Sequence, residues 1–291
     1  MTGPDAAVTV RCGGVRGSIP SPGPHTVRYG GNTSCVQLCH GDTRLVLDAG
    51  SGIRSLGHEL VADGVKDHVL LLTHFHWDHI QGFPFFEPLH DSDSTLRIFG
   101  PDQNGTDLKR LFERQMDPIF FPVPLASAAA ELRFETVTDH PIEIRDAVVR
   151  TLRVKHPSYV LGYRIEVSGT VVCYVPDNEL DGEGYGVDAG WKDRMTRFVG
   201  DADLLIHDAM YTEGEYEGRR GWGHSTFEQA LELAEAAGVA RLLFFHHDPA
   251  RTDDQLDALV GSLRERAAAR GCPVDLEAAA ESTVIRMETP A

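Results

Sequence analysis

Short, almost wholly apolar runs alternate along the chain with segments of helical spacing. Residues 8–12 read as a first strand, and residues 13–31 are too rich in glycine and proline for regular structure. Runs at 34–39 and 44–47 flank a turn at 40–43 and predict a hairpin. Residues 53–61 carry apolar positions at helical spacing, closed by Gly64. Residues 69–73 form a continuous apolar run, as in a central strand covered on both faces. The stretch 83–141 mixes a predicted helix at 106–116 with a proline-rich loop at 118–124, and reads as an insertion or lid. Further strands are predicted at 147–154, 161–167, 170–174, 204–207 and 242–245, with a Ser168-Gly169 turn joining the second and third. A helix at 225–237 begins with Ser225 as N-cap and Glu228 as its capping-box partner, and a long helix at 253–270 stops at Gly271. With no repeat or linker, the 291 residues read as one α/β domain, two sheets packed inside helices.

Charge narrows the choice of partner. The net charge is −17, and residues 201–291 hold 18 acids against 8 arginines and no lysine. Binding a nucleic-acid backbone calls for a basic face, so a nucleic-acid polymer is not the expected substrate. A small anion remains compatible if metals or a few arginines supply local positive charge. The longest apolar runs fall far short of the ~20 residues of a membrane span. The opening Met1-Thr-Gly-Pro-Asp5 has no basic or apolar segment of a secretion signal. Five cysteines (Cys12, Cys35, Cys39, Cys173, Cys272) form no C-x-x-C pair and read as reduced thiols. Together these features predict a cytoplasmic protein that does not engage a membrane.

The densest chemistry lies in Thr73-His74-Phe-His76-Trp-Asp78-His79, directly after the central strand. In an extended segment His74 and His76 point the same way, and a turn can bring Asp78 and His79 to a neighbouring position. Imidazole and carboxylate are ligands for zinc, manganese or iron, and one such loop can hold parts of two adjacent metals.

His74-x-His76-x-Asp78-His79 after a buried strand resembles the signature of the metallo-β-lactamase superfamily, whose fold is an αββα four-layer sandwich. Three later positions match in order: His156 before a Gly-Tyr-Arg strand, Asp177 after the strand at 170–174, and His246 after the strand at 242–245. The resemblance implies two divalent ions per chain, zinc ahead of manganese or iron. One would sit on His74, His76, His156 and Asp177, the other on Asp78, His79, Asp177 and His246. His246 is followed by His247, and either could be the last ligand; the strand ends directly at His246, which favours it. Asp48 resembles the buried aspartate that orients the metal-binding side chains.

Gly14-Val-Arg-Gly-Ser-Ile-Pro20 and Arg28-Tyr-Gly-Gly-Asn-Thr-Ser-Cys35 resemble the N-terminal segment of the phosphodiesterase branch, which includes tRNase Z and small-molecule cyclic phosphodiesterases. In that branch an acid is paired with a catalytic histidine. Asp208 and His224 stand in those places, Asp208 being one methylene shorter than the usual Glu. The catalytic set is then Asp78, His224 and Asp208, with His224 as general acid for the leaving alkoxide. Arg16, Arg28 and Arg164 are candidates for gripping the substrate. Trp77 and the aromatics at 83–86 fit core packing better than a binding role. The expected activity is hydrolysis of a small cyclic phosphodiester, either a cyclic nucleotide or a phosphoribosyl cyclic phosphate. Alternatives are a tRNase Z-like endoribonuclease, a thioester or lactone hydrolase on the same metal core, and a non-catalytic metal sensor. The resemblance also implies a homodimer.

Overall fold

In the computed structural model, which describes residues 7–281 and 283–289, the first apolar run becomes β1 (Val8–Gly14). The opening Met1-to-Asp5 segment, read above for a secretion signal, lies outside the described residues. Strands β2 (Cys35–His40) and β3 (Thr43–Leu47) form the predicted hairpin. After α1 (Ile53–Ala62), strand β4 (Asp67–Leu71) pairs parallel to β3. The short α2 (Trp77–Ile80) follows, then β5 (Thr95–Gly100), α3 (Leu108–Gln115) and β6 (Glu131–Thr136).

The second sheet is built from β7 (Ile142–Ile144), β8 (Ala147–Arg153), β9 (Leu161–Val167), β10 (Thr170–Val175), β11 (Leu204–Asp208), β12 (Arg241–Phe245) and β13 (Asp275–Ala278). Helix α4 (Trp191–Phe198) precedes β11. Helices α5 (Glu213–Tyr216) and α6 (Phe227–Ala236) precede β12, and α7 (Asp253–Ala269) precedes β13. Strand β14 (Val284–Met287) returns to pair with β1, so each sheet has seven strands, ordered β14-β1-β2-β3-β4-β5-β6 and β13-β12-β11-β10-β9-β8-β7.

The apolar runs are continuous because both faces of the central strands are covered. Val69 and Leu71 of β4 point between the sheets, while Leu70 packs outward under α1 and α3. Leu243 and Phe245 of β12 likewise face the inter-sheet core, and Leu242 and Phe244 face α4, α6 and α7. The result is a helix–sheet–sheet–helix sandwich, the metallo-β-lactamase fold. Within each sheet part of the strands run parallel: β3 to β6 in one, β10 to β13 in the other. Ligands of open parallel sheets gather at the carboxyl ends of their strands, and here those ends carry the residues of interest.

Several expectations are corrected. The stretch 83–141 is not an insertion or lid as a whole, because β5 and β6 extend the first sheet in parallel pairing with β4. What lies outside that sheet is α3 with short loops and single 3₁₀ turns. The N-cap of α6 is Thr226, not Ser225, and its box partner is Gln229. Ser225 Oγ instead donates to Asn178 O at 2.5 Å and accepts from Leu180 N, bracing the loop after β10. The Ser168-Gly169 turn forms as expected, both residues at positive φ (47° and 78°), the primed hairpin geometry.

Because Thr226 closes the capping box, Thr226→Ala is expected to lower unfolding free energy by about 1 kcal/mol and Thr226→Ser to restore most of it. Urea-induced unfolding measures both.

Candidate metal centre

The carboxyl ends of β3, β4, β10, β11 and β12 deliver Asp48, the segment 74–79, Asp177, Asp208 and His246 to one edge of the sandwich. His156 joins them from the loop between β8 and β9, and His224 from just before α6. They surround the floor of a cleft of 480 Å³, whose lining includes His76, Asp78, His156, Asp177, His224 and His246.

Three groups of donor atoms form: the two expected sets, and a third that joins His224 to Asp177 and His246. The donor atoms of His74, His76, His156 and Asp177 all lie within 4.8 Å of one another, and so do those of Asp78, His79 and His246. Asp177 joins the sets: its Oδ2 is 3.7 Å from both His74 Nε2 and His156 Nε2, while its Oδ1 is 2.9 Å from His79 Nε2 and 3.3 Å from His246 Nε2. Further separations are 3.3 Å between His156 Nε2 and His76 Nδ1, 3.4 Å between His79 Nε2 and His246 Nε2, and 3.1 Å between His246 Nε2 and Asp78 Oδ2. Four ligands tetrahedrally placed about 2.0–2.2 Å from one cation stand about 3.3–3.6 Å apart, so both sets fit a divalent ion. His74 Nε2, buried and without a hydrogen-bond partner, adds a second sign of fit.

The tautomers are fixed from behind. Asp48, fully buried, accepts from Thr73 N (2.7 Å), Thr73 Oγ1 (2.9 Å), Tyr174 OH (2.9 Å) and His79 Nδ1 (2.8 Å). Thr73 Oγ1 in turn accepts from His74 Nδ1 at 3.0 Å. His156 Nδ1 donates to Gly223 O at 2.9 Å. Each ring therefore offers Nε2 to the cluster, as ligating histidines do when their other nitrogen is engaged. Gly223 must be glycine here: its φ is +91°, and a Cβ would come 2.3 Å from His156 Nδ1.

Burial pushes the pKa of His74 well below the ordinary imidazole value and that of His156 down to about 4, so both rings are neutral, the form that ligates. His79 is the exception. Burial works against its charge, yet Asp177, Asp78 and Asp48 hold its pKa well above the usual value. Burial alone would raise Asp78 and Asp177, but the surrounding imidazoles keep both well below the usual carboxylate range. The centre is an anionic cup that draws positive charge.

His224 stands beside it. Its Nδ1 lies 2.6 Å from Asp208 Oδ2, and its ring stacks on His246 at 4.9 Å. Burial opposes protonation, but Asp208 overrides it and raises the pKa to about 9. By linkage, the charged pair adds stability in full below the ordinary value of 6.5, and this is lost as pH rises through about 9. Asp208 is fully buried and also accepts from the N–H groups of Met210, Asn178 and Ser225. The amide of Ser225, just ahead of α6, thus steadies this carboxylate.

The arginine expectations are corrected. Arg16 is fully buried and donates to Gly30 O (2.8 Å) and Arg251 O (2.7 Å), which pins the N-terminal loop to the segment before α7. Arg28 is exposed and pairs with Asp254 and Asp257. Arg164 donates to Phe198 O and Gly200 O after α4. None lines the cleft. Trp77 departs from the core-packing expectation at 82 % exposure, and Phe85 at 55 %, whereas Phe83 and Phe86 are buried. His247 points away from the cluster and bonds Ala279 O at 2.8 Å.

Two residues that sequence reading passed over also matter. Ser18 N donates to Asp78 Oδ2 at 2.7 Å. Glu179, buried, accepts from Gly221 N, Gly223 N and the Tyr216 and Tyr185 hydroxyls, and so shapes the loop that carries His224. Nothing in the sequence beyond the nearness of Glu179 to Asp177 signals either contact.

The profile of the beta-lactamase superfamily domain matches residues 43–247. The chain belongs to that superfamily. Superfamily membership and the donor sets make it a metal-dependent hydrolase. Among its relatives, the ribonuclease Z of Exiguobacterium sibiricum is 24% identical over 278 residues, covering 80% of this chain and 88% of the relative. Among solved structures, the metallo-beta-lactamase fold protein YhfI from Bacillus subtilis has a TM-score of 0.69 at 20% identity and covers 96% of this chain and 99% of that one. Unliganded yeast PDE1 also scores 0.69, at 13% identity, with 97% and 100% covered. Among the described residues no helix is long and apolar enough to cross a membrane.

Two tests follow from the donor sets and the Asp48 network. Equilibrium dialysis with zinc followed by elemental analysis is expected to give two ions per chain, one fewer in His246→Ala, and no change in His247→Ala. Asp48→Asn is expected to weaken metal retention about 10–100-fold in chelator competition, since it releases the tautomers of both His79 and His74.

Proposed function

We propose that this chain is a dinuclear metal phosphodiesterase acting on a small cyclic phosphodiester, a cyclic nucleotide or a phosphoribosyl cyclic phosphate. The observation that carries this reading is the His224–Asp208 pair: a ring held protonated by a buried carboxylate 2.6 Å away, on the wall of the cleft that holds both donor sets. Two divalent ions, when bound, supply Lewis-acid charge for phosphoryl oxygens and activate water. His74, His76, His156 and Asp177 would hold one ion; Asp78, His79, His246 and the shared Asp177 would hold the other. His224 Nε2 then serves as the proton donor for the leaving alkoxide, and Asp208 aims the ring and raises its basicity. Asp78, fixed by Ser18 N, keeps a carboxylate on the cleft wall.

The small size of the substrate is supported by charge. Neither lysine nor arginine lines the cleft, and the chain carries −17. A long polyanion would find no basic track. One observation favours a second reading, ribonuclease Z-like cleavage of RNA: that is the name borne by the Exiguobacterium relative. A panel of metal-replete assays separates them. Hydrolysis of cyclic nucleotides or phosphoribosyl cyclic phosphates without cleavage of precursor tRNA supports the first reading. Processing of precursor tRNA at physiological salt with no action on cyclic esters overturns it.

His224→Ala is expected to keep its metal complement while turnover falls about 10²–10⁴-fold. Since a general acid must be protonated, turnover falls on the alkaline side of its pKa. Asp208→Asn removes the charge that raises that pKa, so the alkaline limb of the kcat–pH profile should move to lower pH.

A further inference from the structure

The exposed large apolar side chains of this acidic chain are not scattered evenly. Trp77 (82 % exposed), Phe85 (55 %) and Phe120 (78 %) gather beside the metal-centre cleft. They line a groove of 470 Å³ together with Phe75, Ile80 and Phe121. Phe75 and Trp77 line both the groove and the cleft, so the two are adjoining chambers with a shared aromatic wall. We propose that this groove is the subsite for the base of the substrate, a planar nucleobase whose phosphodiester lies over the donor sets. This inference rests on the phosphodiesterase reading and specifies the substrate class within it.

The walls are preformed. Asp117 O accepts from Phe120 N (2.7 Å) and Phe121 N (2.8 Å), and Asp117 Oδ1 accepts from Ile119 N (2.9 Å), so the aromatic segment after α3 is a tied turn. Phe121 meets Phe85 edge-on at 5.5 Å. Trp77 sits between His76 and Asp78, both in the donor sets, which fixes its backbone to the floor of the cleft. The volume lies in the range of small-molecule pockets, and mostly apolar walls rich in aromatic rings suit a flat heterocycle. Arg114 also lines the groove. Its guanidinium forms no ion pair among the described residues and gives this side of a strongly acidic molecule a positive rim for an anionic ligand. Continuity with the cleft and this charge distinguish a substrate arm from a second copy of the chain, which would bring another −17 to the same face.

Tryptophan emission reads the subsite without turnover. Trp191 is buried, so in Trp222→Phe the responsive fluorophore is Trp77. Titrating zinc-loaded Trp222→Phe with AMP should quench the emission saturably, whereas ribose 5-phosphate, which lacks the base, should not. By calorimetry, Phe85→Ala and Phe120→Ala should each reduce the preference for AMP over ribose 5-phosphate about tenfold or more, the usual loss of one stacking partner. Equal binding of the two probes overturns the subsite. So does a change of sedimentation in Phe120→Ala with AMP affinity intact, which would assign the groove to a second copy of the chain. Saturable quenching by AMP in a protein that cleaves neither cyclic nucleotides nor phosphoribosyl cyclic phosphates would uphold the subsite and end the phosphodiesterase reading. Hydrolysis of cyclic esters with no base preference would do the reverse.

Discussion

A single buried carboxylate ties the architecture to the chemistry. Asp48 directly follows β3 of the first sheet, and among its donors are Thr73, just after β4, and Tyr174 from β10 in the second sheet. It also holds His79, and through Thr73 it orients His74. A fully buried carboxylate is tolerable only when its lone pairs are met by donors, and the donors here come from both halves of the sandwich. Tyr163 OH adds a parallel link by donating to Leu72 O at 2.6 Å across the same inter-sheet space. The positions of the two sheets and the tautomers of the cluster are therefore one constraint. Moving the sheets apart would strand Asp48, and losing Asp48 would free the imidazoles.

The same device recurs at two more buried acids. Asp208 gathers three backbone amides and His224, and Glu179 gathers two glycine amides and two tyrosine hydroxyls. Each turns a loop at the carboxyl edge of a parallel strand into a rigid mount. The acids that face the cleft, Asp78 and Asp177, are instead partnered mainly by the donor-set histidines. That contrast divides scaffold from site: fully satisfied carboxylates hold the walls, and those opposed by imidazoles provide the anionic cup that attracts cations.

Charge is distributed with the same economy. The arginines nearest the cleft by sequence are spent on carbonyls and surface acids, as Arg16, Arg28 and Arg164 show. In the phosphodiesterase reading, attraction for an anionic substrate rests on bound cations and the protonated His224, with Arg114 at the rim of the adjoining groove. The cleft itself is lined by neither lysine nor arginine, in a chain of net charge −17.

The sequence by itself determined the central strands, the helices that flank them and the residues of the candidate donor sets. Continuous apolar runs at 69–72 and 242–245 require cover on both faces, and four ligand-type side chains within six residues of a strand end have little other use. It misplaced the stretch 83–141, because β6 is a partly exposed edge strand whose identity rests on pairing with β5. It also shifted the α6 cap by one residue, since Ser225 and Thr226 have equivalent capping chemistry and only the chain path selects between them. The strand end favoured His246 over His247, and the tertiary structure brings His246 to the cluster and turns His247 to Ala279 O. Tertiary structure alone turned Trp77 outward and spent the arginines elsewhere. Short-range periodicity encodes burial, but the direction of a loop side chain is set by partners distant in sequence.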